Sequence, residues 1–143
     1  MLQYGQIFKR EELTKTMVKS IQKKISVLKE ANKRKPPKRV AYLIWKKPLM
    51  VAGKNTFIDT LLHLNNFENV FEEARYPVTS LEELKEKKPD LILLSSEPYP
   101  FSEKHFEFFK DIGAEIKLVD GEYFSWYGSR LLGAMDYFKN LNF

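Results

Sequence analysis

The residue types that carry catalysis are scarce in this chain. It has two histidines and no cysteine, which excludes thiolate nucleophiles, thiolate metal sites and disulfides. His63 and His105 both fall in helical patterns, away from the ends of the apolar runs. Neither has a partner at metal-binding spacing such as His-Glu-x-x-His. His63, between Leu62 and Leu64, is expected to pack inside, and His105, followed by Phe106 in a charged stretch, is expected to be exposed. Ser95 and Ser96 close an apolar run but lack the glycines of a nucleophile elbow. Gly53 and Gly121 each stand alone after a predicted strand, with neither a Walker lysine loop nor G-x-G-x-x-G around them. The chain therefore reads as a non-enzyme, with no catalytic residue and no metal ligand. One alternative stays open, a stand-alone cytosolic α/β domain acting on a small polar substrate. In it Glu97, a carboxylate at a strand end among aromatics, would serve as general acid or base.

What the sequence does offer is aromatic. Three apolar runs, 39–45, 90–95 and 116–120, each lead into an aromatic or charged cluster. If the runs are neighbouring parallel strands, these clusters share the carboxyl edge of a sheet, where open α/β folds bind ligands. Trp45, Tyr99, Phe101, Phe124, Trp126 and Tyr127 would gather there. Aromatics fill cores as readily as interfaces, but these lie in loops bearing proline and glycine. On rigid loops they make flat contact surfaces for large planar ligands. Arg130 stands in the first turn of the last helix, poised either for a ligand carboxylate or for a salt bridge to Glu97 or Glu122.

The elements that must position these residues follow from periodicity. Leu13, Met17, Ile21, Ile25 and Leu28 make one apolar stripe, predicting a long helix over 11–35. Glu11 and Glu12 begin it, Lys33, Arg34 and Lys35 end it, and Pro36 with Pro37 stops it. After the first strand, 46–53 is expected as a loop. Asn55 or Thr56 caps a helix that buries Phe57, Ile58, Leu61, Leu62 and Leu64, and 68–71 is a short extended piece. Ser80 with Glu83 forms a capping box, which leaves Glu82 free to project outward. Helices are also expected over 104–111 and from Ser125 or Ser129 to about Lys139. Strands alternating with helices imply a Rossmann-like, three-layer α/β/α unit with a mostly parallel sheet, to which the long first helix is an adjunct.

Composition agrees with one globular domain. At 143 residues and 43% hydrophobic content, a chain buries on the order of 70% of its unfolded surface. No run reaches the roughly 18 apolar residues of a membrane span. The net charge of +5 is concentrated, since residues 15–39 hold ten Lys or Arg and one Glu. Such a segment can attract nucleic acid, although a solvated helix face is the expected reading and no nucleic-acid partner is assigned. The first residues lack the order of a signal peptide, so the chain as written would stay in the cytoplasm if it is complete.

Several segments carry a resemblance. Residues 42–48 (Tyr-Leu-Ile-Trp-Lys-Lys-Pro), 53–57 (Gly-Lys-Asn-Thr-Phe), 69–71 (Asn-Val-Phe), 80–82 (Ser-Leu-Glu), 89–98 (Pro-Asp-Leu-Ile-Leu-Leu-Ser-Ser-Glu-Pro), 120–121 and 125–130 (Ser-Trp-Tyr-Gly-Ser-Arg) are in a familiar order and spacing. Over about residues 5–141 the chain resembles the C-terminal lobe of the solute-binding proteins of ABC importers for cobalamin, ferric siderophores and haem. These are the helical-backbone metal receptors. The resemblance implies two Rossmann-like lobes joined by one long rigid helix, with a metal chelate between them and no covalently bound cofactor. Residues 1–37 then correspond to the inter-lobe helix and 38–143 to the ligand-binding lobe, with the N-terminal lobe absent. Tyr76 takes the place of a ligand-stacking aromatic, and Glu82 that of the glutamate that docks on the membrane permease. Trp45, Glu97, Trp126 and Arg130 face the cleft, an assignment that rests equally on the strand-end argument. The family works in the periplasm or anchored outside the cytoplasm. The chain is expected to be a fragment whose lone lobe binds weakly, because affinity comes from enclosing the ligand.

Overall fold

A computed structural model of the chain describes residues 2–7, 10–32 and 36–141. A short helix α1 (Leu2–Ile7) precedes the long helix α2 (Glu11–Asn32). Glu11 and Glu12 lie at the positive end of the α2 dipole and Lys29 at the negative end, the favourable arrangement. The predicted last turn, Lys33 to Lys35, lies outside the described residues. Ile21 and Leu28 are buried on the stripe, whereas Leu13 stays exposed.

The α/β unit then runs β1 (Lys38–Lys46), β2 (Leu49–Val51), α3 (Phe57–Leu64), β3 (Phe67–Asn69), α4 (Leu81–Glu86), β4 (Leu91–Ser95), α5 (Phe106–Phe109), β5 (Glu115–Val119), α6 (Gly121–Ser125) and α7 (Arg130–Asn140). β1 pairs in parallel with β4, and β4 with β5. The other edge of β1 is shared. β3 pairs in parallel with its first half, and β2 antiparallel with its second. Parallel strands covered on both faces read as continuous apolar runs, and β4 is buried at every position.

Alternation along β1 and β4 divides the core. Val40, Tyr42, Leu91 and Leu93 face Leu28 of α2, Ile58 and Leu62 of α3, Phe124 of α6 and Phe138 of α7. Ala41, Leu43, Ile92 and Leu94 face Val70, Phe71, Leu84 of α4, Phe101 and Phe109 of α5. This is the expected three-layer, mostly parallel α/β fold. Burial of a core leucine is worth about 1.5–3 kcal/mol, so Leu28 makes α2 part of this layer rather than a loose adjunct. Lys24 meets Asp136 of α7 at 2.6 Å, a largely exposed pair that adds little.

Local expectations fail where elements are short. The segment 46–53 is a hairpin rather than a loop, because three residues of β2 are too few to show a period. The expected helix over 104–111 is the single α-turn of α5 between 3-10 turns at Glu103–His105 and Lys110–Ile112. The last predicted helix forms as α7 with Ser129 as its N-cap, while the short α6 before it is unexpected. α6 is set by Asp120, whose carboxylate accepts the Glu122 N–H at 3.0 Å.

Candidate ligand-binding face

The carboxyl ends of β1, β4 and β5 meet at one edge, and a polar strut holds them there. The buried Tyr42 hydroxyl donates to Ser95 Oγ at 3.0 Å, and Ser95 in turn donates to the Glu97 carbonyl. Burial pushes the Tyr42 phenol up, against the opposing pull of the Ser95 hydrogen bond. The Ser96 N–H donates to the Val119 carbonyl at 2.9 Å, and the Gly121 N–H to Ser96 Oγ at 3.0 Å. A Cβ on Gly121 would lie 2.4 Å from Ser95 Oγ, so only glycine allows this approach. Ser95 Oγ thus serves the framework of this edge, accepting from Tyr42 and donating to Glu97.

The aromatic residues divide into two groups. Trp45, next to last in β1, is 37% exposed and rests edge-on against Tyr99 at 5.5 Å between ring centroids. Its indole N–H donates to the Lys47 carbonyl at 3.0 Å. Tyr99 contacts Phe101 at 4.7 Å and His105 at 5.6 Å, and its N–H donates to the Ile44 carbonyl. Lys46 places its ammonium 5.0 Å above the Phe108 ring. Phe101 is buried here, as is Phe124 beside Tyr42. These two rings are core rather than surface, which removes them from the expected aromatic edge.

The second group lies across the sheet. Tyr127, 68% exposed, stacks on Phe57 of α3 at 4.2 Å. Trp126 is 50% exposed, with the Arg130 guanidinium 4.7 Å above its ring. Arg130 also forms an ion pair with Glu122. The structure thus joins Trp126 with Arg130, supplies Glu122 rather than Glu97 as the partner, and leaves the Glu97 side chain exposed.

Tyr76 sits in a separate loop bound to the β2 edge. The Gly53 N–H donates to the Arg75 carbonyl, the Arg75 N–H to the Lys54 carbonyl and the Lys54 N–H to the Glu73 carbonyl, each at 2.8 Å. A Cβ on Gly53 would fall 2.0 Å from the Glu73 carbonyl oxygen. Asp59 braces the same region, accepting from Asn69 at 3.1 Å and facing Lys54 at 3.8 Å. Tyr76 remains exposed at the tip. Glu82 is exposed in the first turn of α4, its carboxyl held below the usual range by its own backbone N–H and the Ser80 hydroxyl. Ser80 Oγ does accept the Glu83 N–H at 3.1 Å. The Glu83 carboxylate, however, accepts from the Thr79 hydroxyl at 2.7 Å, so only half of the capping box forms.

Both histidine expectations are overturned. His63 is exposed, its Nδ1 bonded to the Asp59 carbonyl at 2.8 Å, because the inward stripe of α3 is Ile58, Leu61 and Leu62. His105 is 6% exposed, one helical turn before the buried Phe109. That i, i+4 spacing was the signal available in the sequence, and the charged neighbours Glu103 and Lys104 masked it. Among the described residues, no cluster of three His, Asp or Glu side chains is placed to hold a metal ion.

Solved structures share this fold. A possible iron-binding (periplasmic solute-binding) protein from Staphylococcus epidermidis ATCC 12228 superposes with a TM-score of 0.84 at 22% identity, over 99% of this chain and 60% of that one. The periplasmic haem-binding protein RhuT from Roseiflexus sp. RS-1 gives 0.79 at 18% identity, over 94% and 57%. The periplasmic vitamin B12-binding protein BtuF of Vibrio cholerae gives 0.68 at 18% identity, over 82% and 48%. The chain thus spans about half to three-fifths of these proteins, in the manner of a C-terminal lobe. No curated protein matches it. A family model described as periplasmic binding protein matches residues 1–114, and the chain belongs to that family of binding proteins.

Proposed function

We propose that this chain is the C-terminal lobe of a solute receptor that holds a metal chelate and presents it to an ABC-importer permease outside the cytoplasm. The chelate is a corrinoid, a ferric siderophore or haem. In this reading residues 1–37 are the inter-lobe helix and 38–143 the ligand-binding lobe. The observation that carries the proposal is the pair of exposed aromatic groups at the carboxyl edge of the sheet, Trp45 on one side and Trp126 with Arg130 on the other. Structural relatives whose names specify haem, vitamin B12 and iron support the ligand class.

The residues divide the work by chemistry. Trp45, Trp126 and Tyr76 offer apolar ring faces to a planar or macrocyclic ligand. Arg130 exchanges Glu122 for a ligand carboxylate, keeping its stack on Trp126 while it does so. Glu97 accepts from hydroxyl or amide donors at the rim. Glu82, exposed in the first turn of α4, meets the permease. A second lobe closes the other side of the ligand.

Trp45 and Trp126 are the only tryptophans, so their emission reports on the proposed cleft. Titration with cyanocobalamin, haemin and a ferric siderophore is expected to quench it saturably with one of the three. Quenching should be tighter in a protein that carries a complementary lobe. No saturable response to any chelate in that two-lobed protein would end the receptor reading.

A further inference from the structure

We infer that His105 is a positioning residue for the Trp45 wall of the proposed cleft: neutral, it holds Tyr99 beneath Trp45, and on gaining a proton it releases that contact. The inference rests on the assignment of Trp45 to the ligand-binding face.

The geometry assigns the neutral tautomer. The Ser102 N–H points at His105 Nδ1 from 3.0 Å, so Nδ1 must offer a lone pair and the ring proton lies on Nε2. Nε2 is 3.3 Å from the Tyr99 hydroxyl, which accepts from it. The ring is edge-on to Phe101 at 5.5 Å and to Tyr99 at 5.6 Å, and Tyr99 is edge-on to Trp45 at 5.5 Å. An unbroken chain of contacts therefore runs from a buried imidazole to an exposed indole.

A proton taken from solvent would go to Nδ1, setting two donors face to face at Ser102. The new N–H would reach the Ser102 carbonyl at 3.2 Å or hydroxyl at 3.3 Å, but the Ser102 N–H, 3.0 Å from the ring, would lose its acceptor and push the two apart. The surroundings oppose the charge. β1 contributes Lys46, the histidine's own turn contributes Lys104, and the 96–102 loop contacts the ring through the neutral Tyr99, Phe101 and Ser102. Among the described residues no carboxylate lies within ion-pair distance of the ring. Burial, followed by the Lys46 charge, lowers the His105 pKa from its ordinary 6.5. The unfolded chain consequently binds this proton at higher pH than the folded one. Stability and the Trp45 contact are then complete above about 6.5 and decline as the pH falls through the depressed value.

The ligand-free Trp126→Phe chain isolates Trp45 as the one emitter. Its emission is expected to show a reversible transition centred below about pH 6.5, with far-ultraviolet circular dichroism unchanged. Addition of His105→Gln should abolish the transition, because a glutamine amide accepts the Ser102 N–H without titrating. The same transition surviving in that double variant would overturn the inference. If that variant does not fold, NMR titration of the Trp126→Phe chain decides. The Trp45 indole and His105 imidazole signals must share one midpoint, and separate midpoints would defeat the proposal. Cyanocobalamin affinity, measured by calorimetry, should then be weaker by about threefold or more at pH 5.5 than at pH 7.5, and equal affinities would count against it. Where cyanocobalamin does not bind, haemin and a ferric siderophore are measured in the same way, and absence of binding by all three argues against the receptor reading alone, since the ligand-free transition tests His105 by itself.

Discussion

The two aromatic groups at the sheet edge have similar compositions and different foundations. Trp45 stands on Tyr99, then on His105, Phe101 and Phe109, and so reaches the core within two ring contacts. Trp126 and Tyr127 lie outside the core, attached through Arg130, Glu122 and the single stack on Phe57. The first is a wall whose shape packing dictates. The second is a set of exposed side chains whose rotamers few neighbours restrict. A receptor that pairs a rigid wall with an adaptable one can be selective on one side and tolerant on the other.

Substitutions should separate the two. Phe101→Ala removes a buried ring that supports both Tyr99 and His105 and is expected to cost about 3–5 kcal/mol in urea unfolding. A cost below about 1 kcal/mol would show that the first group is no better founded than the second. Gly121→Ala tests the strut between them. Its Cβ meets Ser95 Oγ and the Glu97 backbone, and overpacking there should cost roughly 1–3 kcal/mol while moving both tryptophan emission maxima.

Tyr127→Ala deletes the stack on Phe57, and its expected cost is about 0.5–1.5 kcal/mol. A larger loss in denaturant would mean that the second group is also tied to the core. Glu122→Gln has the smallest effect. It removes the carboxylate paired with Arg130, and an exposed pair of this kind contributes about 0–1 kcal/mol. The variant should leave the melting temperature nearly unchanged and raise affinity for a carboxylate-bearing chelate such as haemin. Unchanged affinity would show that Arg130 does not meet the ligand.

Much of the architecture was legible in the residues themselves. The apolar runs of β1 and β4, the stripe on α2 and the caps at Thr56 and Ser80 are repeated local signals, and the structure uses each of them. Legibility ended where an element was too short to repeat, as in β2, α5 and α6. It also ended where charged neighbours disguised an inward position, as at His105. The site was legible as a list of aromatics but not as two groups, because spacing along the chain does not say which rings fall on the same side of a sheet.

The sequence by itself determined the alternation of strands and helices, the scarcity of catalytic side chains and the placing of aromatics after strand ends. These follow from periodicity and residue type, which are local properties. Tertiary structure alone decided that Phe101 and Phe124 turn inward, that Arg130 pairs with Glu122 rather than Glu97, and that a buried histidine stands behind Trp45. Those outcomes depend on which surfaces compete for the same space once β1, β4 and β5 lie side by side, and no segment of the chain holds that information alone.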